Sequence, residues 1–215
     1  MKTAKYPALI VLALSVSAML LLNACKKESL PNWDVPKIKT WTYSLLQTGV
    51  HVTMHYTYDT DGRVTEELST NDASSTTYTN TFTYSNNYVL VSYHGTSPDT
   101  IWLNADGLNT AFTFNADGYR TAGNSGETYE WVDGNTATAY GNTGDTTHFT
   151  YATDKQNTIG YYNKGIYTMG KDSKNPVLTA TSSSGAIYNY TYTYDQQGRI
   201  ASVTSATDTS YYTYY

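Results

Sequence analysis

From Trp41 onward the chain alternates, and that period of two limits the fold more than any other feature. Val52, Met54, Tyr56 and Tyr58 are interleaved with His51, Thr53, His55 and Thr57. In an extended strand this sorts apolar and polar side chains onto opposite faces. The pattern returns in Tyr78-Thr79-Asn80-Thr81-Phe82-Thr83-Tyr84, in Thr147-His148-Phe149-Thr150-Tyr151, in Tyr188-Asn189-Tyr190-Thr191-Tyr192-Thr193-Tyr194, and from Tyr211 to Tyr215. Past the N-terminal segment, no window of about 11 residues carries a helical period. The sequence predicts an all-β fold: an antiparallel Tyr/Thr-rich meander, a curled sheet or barrel-like structure.

The N-terminus reads as an address. Lys2 and Lys5 precede an apolar run from Ala8 to Leu22, broken by Ser15 and Ser17. Basic residues followed by a short apolar core make a signal peptide, and the run is short of the ~20 residues of a permanent membrane helix. Leu22-Asn23-Ala24-Cys25 resembles a bacterial lipobox, which implies cleavage before Cys25 and acylation of its thiol and new amine. Two or more acyl chains anchor stably where one is marginal. The expected organisation is a lipoprotein signal peptide at 1–24, a lipidated Cys25 with a polar tether through residue 39, and one β domain from 40 to 215. The expected location is the bacterial outer membrane, on either face.

Composition excludes several classes. The chain has a single Cys, so it can form neither an internal disulfide nor a cysteine-built zinc or iron–sulfur site. Of its 13 Lys plus Arg, Lys2 and Lys5 leave with the signal peptide; 11 − 18 gives the mature chain a net charge of −7. That balance repels a phosphate backbone, and no nucleic-acid partner is expected. Val, Ile, Leu and Phe number 27 after residue 24, few for a folded domain, but 22 of the 23 Tyr and all 4 Trp remain. Each such ring can bury about 150–250 Å². The sequence therefore predicts an aromatic core, with hydroxyl tips kept wet.

A unit recurs at the strand ends. Tyr56-Thr57-Tyr58-Asp59-Thr60-Asp61-Gly62-Arg63-Val64 matches Tyr192-Thr193-Tyr194-Asp195-Gln196-Gln197-Gly198-Arg199-Ile200, and Phe112 to Arg120 is a looser copy. Weaker echoes start at Phe82, Trp102 and Phe149. Asp or Asn caps a turn with its side chain, and Gly supplies a positive φ before the return strand. The pattern resembles the YD repeats of Rhs-type shell proteins. Together with the lipobox and the segment Gly170 to Leu178, it resembles more closely a Bacteroidota lipoprotein family, a domain of unknown function with a porin-like fold. That resemblance covers residues 40–215 and implies a curled meander or barrel, with no assigned activity. A lipid-embedded barrel is disfavoured: its strands run about 9–11 residues with an apolar outer band, whereas these are mostly shorter and carry Thr, Asn and Ser on one face. A water-soluble form is expected.

Candidate chemistry is sparse. His51 and His55 share a strand face, with Glu66 and Glu67 beyond the next turn, but a polar surface accounts for them and no metal site or cofactor is assigned. Asp59-Thr60-Asp61-Gly62, Asn104-Ala105-Asp106-Gly107 and Asn115-Ala116-Asp117-Gly118 look like fragments of calcium loops yet lack the closing Glu, and turn chemistry explains them. No nucleophile elbow, zincin helix or Walker loop occurs. Trp33, Trp41, Trp102 and Trp131 could stack on sugar rings; of these, Trp41, Trp102 and Trp131 are the candidate ligand contacts. The expected function is a membrane-anchored, non-catalytic binding module for a glycan, peptide or envelope protein. The alternatives are a structural role in envelope assembly and, third, an enzyme with an unrecognised site.

Overall fold

The computed structural model describes residues 35–45, 49–74 and 76–215. The expected signal peptide, Cys25, Trp33 and most of the expected tether lie outside the described residues. Val35–Tyr215 forms one compact unit. Its strands in chain order are β1 (Ile38–Leu45), β2 (Val50–Tyr58), β3 (Val64–Asn71), β4 (Thr77–Tyr84), β5 (Tyr88–Tyr93), β6 (Asp99–Trp102), β7 (Thr113–Phe114) and β8 (Arg120–Ala122). There follow β9 (Thr128–Val132), β10 (Asn135–Tyr140), β11 (Thr146–Tyr151), β12 (Val177–Ser182), β13 (Ile187–Asn189), β14 (Thr191–Tyr194), β15 (Ile200–Thr204) and β16 (Asp208–Tyr214). One 3-10 turn, Tyr167–Met169, is the helical element among the described residues. The architecture is all-β and antiparallel, as the alternation requires. Ile38 and Lys39, counted with the tether in the sequence, belong to β1.

Two sheets form from nearest neighbours in sequence. One is ordered β14-β15-β16-β1-β2-β3-β4-β5-β6, the other β13-β12-β11-β10-β9-β8-β7. The single residue Tyr190 separates β13 from β14, and its amide donates to Leu178 O at 2.9 Å. One extended segment thus hands the chain from the second sheet to the first. At the other junction β6 and β7 are not laddered together, and a lone bridge between Leu103 and Asn109 holds the crossing. The ring of strands is not closed into a barrel.

The repeated unit is one turn built four times. Asp59, Asn104, Asn115 and Asp195 each accept, through Oδ1, the amides two and four residues on, at 2.9–3.1 Å. Gly62, Gly107, Gly118 and Gly198 follow at φ +67° to +83°, where an L side chain is strained. A bulge falls beside the turn in the copies at Thr57/Tyr58, Thr113/Phe114 and Thr193/Tyr194. Arg63 and Arg199 reach back to Asp59 and Asp195 at 2.7 Å, and their guanidinium groups lie over the Tyr84 and Tyr214 rings. The Asp59 and Asp195 carboxylates thus bond both to their own turns and to the arginines that follow.

The Phe149 echo takes another course. Ala152 stands where the other units have Asp or Asn, so no side chain caps the turn, and Lys155 stands where they have Gly. Lys155 N–H still donates to Ala152 O, and Ala152 N–H closes on Pro176 O instead of on the fourth residue. The residues between form a long loop. Because an antiparallel meander sends alternate connections to opposite ends of its strands, this loop lies at the end where the four turns gather. It docks on three of them and on the β9–β10 turn: Val64 N–H bonds to Gly165 O, Asn109 N–H to Thr168 O, Lys171 N–H to Gly118 O and Lys174 N–H to Gly134 O, at 2.9–3.2 Å. The loop plugs that end.

The core differs from the aromatic one expected. The side chains withdrawn fully from water are Tyr56 and five aliphatic residues, Ile38, Val64, Val89, Val91 and Ile200. Around Ile38, Tyr56 and Val64 pack the partly buried Trp41, Met54, Tyr58, Phe82, Tyr212 and Tyr214, with Ile159 and Ile166 of the plug. Apart from Tyr56, the phenols of this cluster stay at partial burial, where a hydroxyl can find a partner. They find it on the backbone: Tyr58, Tyr151, Tyr192, Tyr214 and Tyr215 donate to the carbonyls of Ile38, Thr136, Val177, Ile200 and Tyr56 at 2.6–2.9 Å. The rings pack, and their tips fasten one strand to another.

Candidate functional site

The plug is held by its own amide side chains. Asn163 Nδ2 donates to Pro36 O at 2.9 Å, Asn157 Nδ2 to Ser173 O at 3.0 Å, and Asn175 Nδ2 to Lys155 O at 2.5 Å. Asn135 and Asn175 exchange two further bonds where both are buried. Lys37 donates to Tyr162 O at 3.0 Å and to the Tyr167 hydroxyl, which in turn donates to Gly62 O at 3.1 Å. Burial lowers the Lys37 ammonium to about 8.

Beside these contacts lies a cavity of about 400 Å³ in the plug. Its walls are two stretches of the loop, 153–157 and 171–175, with Tyr162, Asn163, Tyr119 from the turn before β8, and Val35. Tyr119 is fixed from behind by Trp131, ring centres 4.5 Å apart, and Lys171 Nζ lies 5.6 Å from the Tyr119 ring centre. Asp172 Oδ2 accepts Tyr162 N–H at 3.2 Å, its carboxylate pressed against Gly160 so closely that no side chain could replace that glycine's hydrogen. Burial raises the Asp172 carboxyl to about 6 against the opposing pull of the Tyr162 and Tyr161 amides and the charges of Lys164 and Arg120. Lys155 pairs with Asp154 at 3.6 Å. Lys171 and Lys174 are exposed and in no ion pair among the described residues. The cavity presents two ammonium groups without a carboxylate partner among the described residues.

Charge is sorted along the strands as a whole. Lys37, Lys39, Arg63, Arg120 and Arg199 sit at or beside strand starts on the plugged end, and Lys155, Lys164, Lys171 and Lys174 are in the plug. That is every basic residue of the described chain. The far end carries Asp72, Asp99, Glu127, Asp145 and Asp208 and, among the described residues, no Lys or Arg.

The tryptophans singled out in the sequence separate in space. Trp41 lies within the core cluster, stacked on Tyr212 at 6.4 Å and covered by Lys164 Nζ at 4.1 Å. Trp131 is partly buried behind Tyr119, its indole N–H donating to Arg120 O at 2.7 Å. Trp102 is 59% exposed on β6, edge-on to Tyr88 at 5.8 Å. His51 and His55 are exposed on the outer face of β2, and no group of three or more metal-ligating side chains occurs among the described residues. The sequence reading missed Lys171, Lys174, Tyr119 and Tyr162. The signal available was the Phe149 echo, a turn unit without its cap and its glycine.

No family model matches the chain, and no curated protein matches it. Among solved structures it is similar to a porin-like protein from Bacteroides uniformis, with a TM-score of 0.52 and 13% identity, over 83% of this chain and 98% of that one. The likeness establishes the fold: an all-β chain of antiparallel sheets with the porin-like arrangement, unclosed here between β6 and β7.

Proposed function

We propose that this chain is an envelope lipoprotein that binds its ligand without transforming it, and that the cavity on the plug takes an anionic, sugar-sized polar ligand. The observation that carries the reading is the pair Lys171 and Lys174, unpaired ammonium groups on a cavity whose amide side chains are tied to backbone. Walls fixed in advance lower the ordering cost of association. An ammonium group without a carboxylate partner has no internal ion pair to break when an anion arrives. The tyrosine rings beside them offer flat apolar faces of the kind sugars stack on.

Two measurements test it. Calorimetric titration with acidic oligosaccharides, sugar phosphates and their neutral counterparts is expected to give heat with the anionic members, and K171Q/K174Q to weaken binding by about tenfold or more, one charge-assisted contact each. Equal heats from neutral and acidic sugars, or an unchanged double variant, would remove the cavity from consideration. For the anchor, Cys25→Ala is expected to move the protein from the membrane fraction to the soluble one, and retention there would refute lipidation.

A further inference from the structure

The position of the cavity and the sorting of charge point to one surface. Val35 lines the cavity, so the N-terminal segment joins the folded unit at the plugged end. Nine residues lie between Cys25 and Val35, so ten residue steps reach at most about 35 Å in extended chain. A lipidated Cys25 would therefore hold the plugged end nearer the bilayer than the far end. Electrostatics favours the same orientation: with Glu66 and Glu67 near the start of β3 counted, the nine basic side chains of the plugged end face ten side-chain carboxylates and nearly balance them, whereas the five at the far end have no basic side chain beside them. Each ammonium group near an anionic leaflet is attracted and each carboxylate repelled within about a Debye length.

We propose that the plugged end seats on an anionic lipid surface, with Lys171 and Lys174 taking the phosphate of a lipid headgroup at the cavity. This deepens the reading of the cavity as an anion-accepting site and rests on it. Four features meet at one end: the cavity, its unpaired ammonium groups, the attachment of the tether and the whole basic complement of the described chain. The acidic end then faces away from the membrane.

The test uses the full chain, purified from membranes in detergent and reconstituted into vesicles of phosphatidylcholine, alone or mixed with phosphatidylglycerol. Brief acetylation followed by peptide mass spectrometry reads the reactivity of each lysine. In the phosphatidylglycerol vesicles Lys171 and Lys174 are expected to react about fivefold more slowly, the attraction of one lysine to an anionic leaflet, and high salt is expected to restore them. Equal reactivity in both vesicle types overturns the proposal; if the acidic-sugar titration is positive in that case, the cavity reading stands by itself. Absence of both effects sinks the two together. Inorganic phosphate protecting the same lysines equally on phosphatidylcholine would assign the cavity to free anions and overturn the lipid surface as its partner.

Discussion

Replacing Gly165 with Ala is expected to destabilise the protein by about 2–4 kcal/mol, the sum of a left-handed backbone penalty and overpacking. Gly165 has φ +70°, and an added Cβ would lie 2.7 Å from both Gly62 O and Val64 N and 2.9 Å from the Tyr58 ring. The two nearest are backbone atoms of a docked turn, not the ends of flexible side chains. The clash falls where Val64 N–H bonds to Gly165 O, so relief means lifting the plug from the β2–β3 turn. Gly185→Ala is the control: φ is +84° but nothing lies within 4 Å, so only the backbone penalty of about 1–2 kcal/mol applies. Urea denaturation of both variants separates the effects. Equal losses at the two glycines would show that the plug is not held at this contact.

The second large effect is expected at Ile38. Truncation to Ala should cost about 2–5 kcal/mol, the usual range for a buried aliphatic residue. Ile38 is 0% exposed, its amide bonds to Asn163 O at 3.0 Å, and its carbonyl accepts the Tyr58 hydroxyl at 2.6 Å. A cavity there would loosen the first strand and the plug at once, because Ile159 and Ile166 pack on the same cluster. Ile187, 61% exposed, makes the comparison: its change to Ala should stay within about 0.5 kcal/mol. If the two substitutions shift the unfolding midpoint alike, the cluster around Ile38 is not the core.

Much of the fold could be read before any coordinates. The period of two placed β2, β4, β11 and β14, because a strand with one wet face must alternate. The Asp-x-x-Gly units gave their turns, since capping by an Asx side chain and a positive φ are local requirements that neighbouring residues satisfy by themselves. Pairing of β1 with β16 was out of reach: Thr42 meets Tyr211 across most of the chain, and nothing local encodes that distance. The plug was hidden for a related reason. Its residues from 153 to 175 carry no period, and Gly165, Thr168, Lys171 and Lys174 are placed by contacts with four separate turns. The cavity inherits that difficulty, being made of residues that mean little until the loop is folded. Tryptophan was the natural guess for a ligand contact, but Trp41 and Trp131 are large enough to be drawn into packing, and only neighbours across strands decide which indole remains outside.

The pairing of β1 with both β2 and β16 sets the order in which the molecule can assemble. As the chain leaves the ribosome, β2 arrives at once, but the opposite edge of β1 stays unpaired until more than 160 further residues have been made. Contacts so distant in sequence slow folding, and a bare strand edge recruits other chains. Until the last strand docks, that edge of the first has to be kept from pairing with another chain.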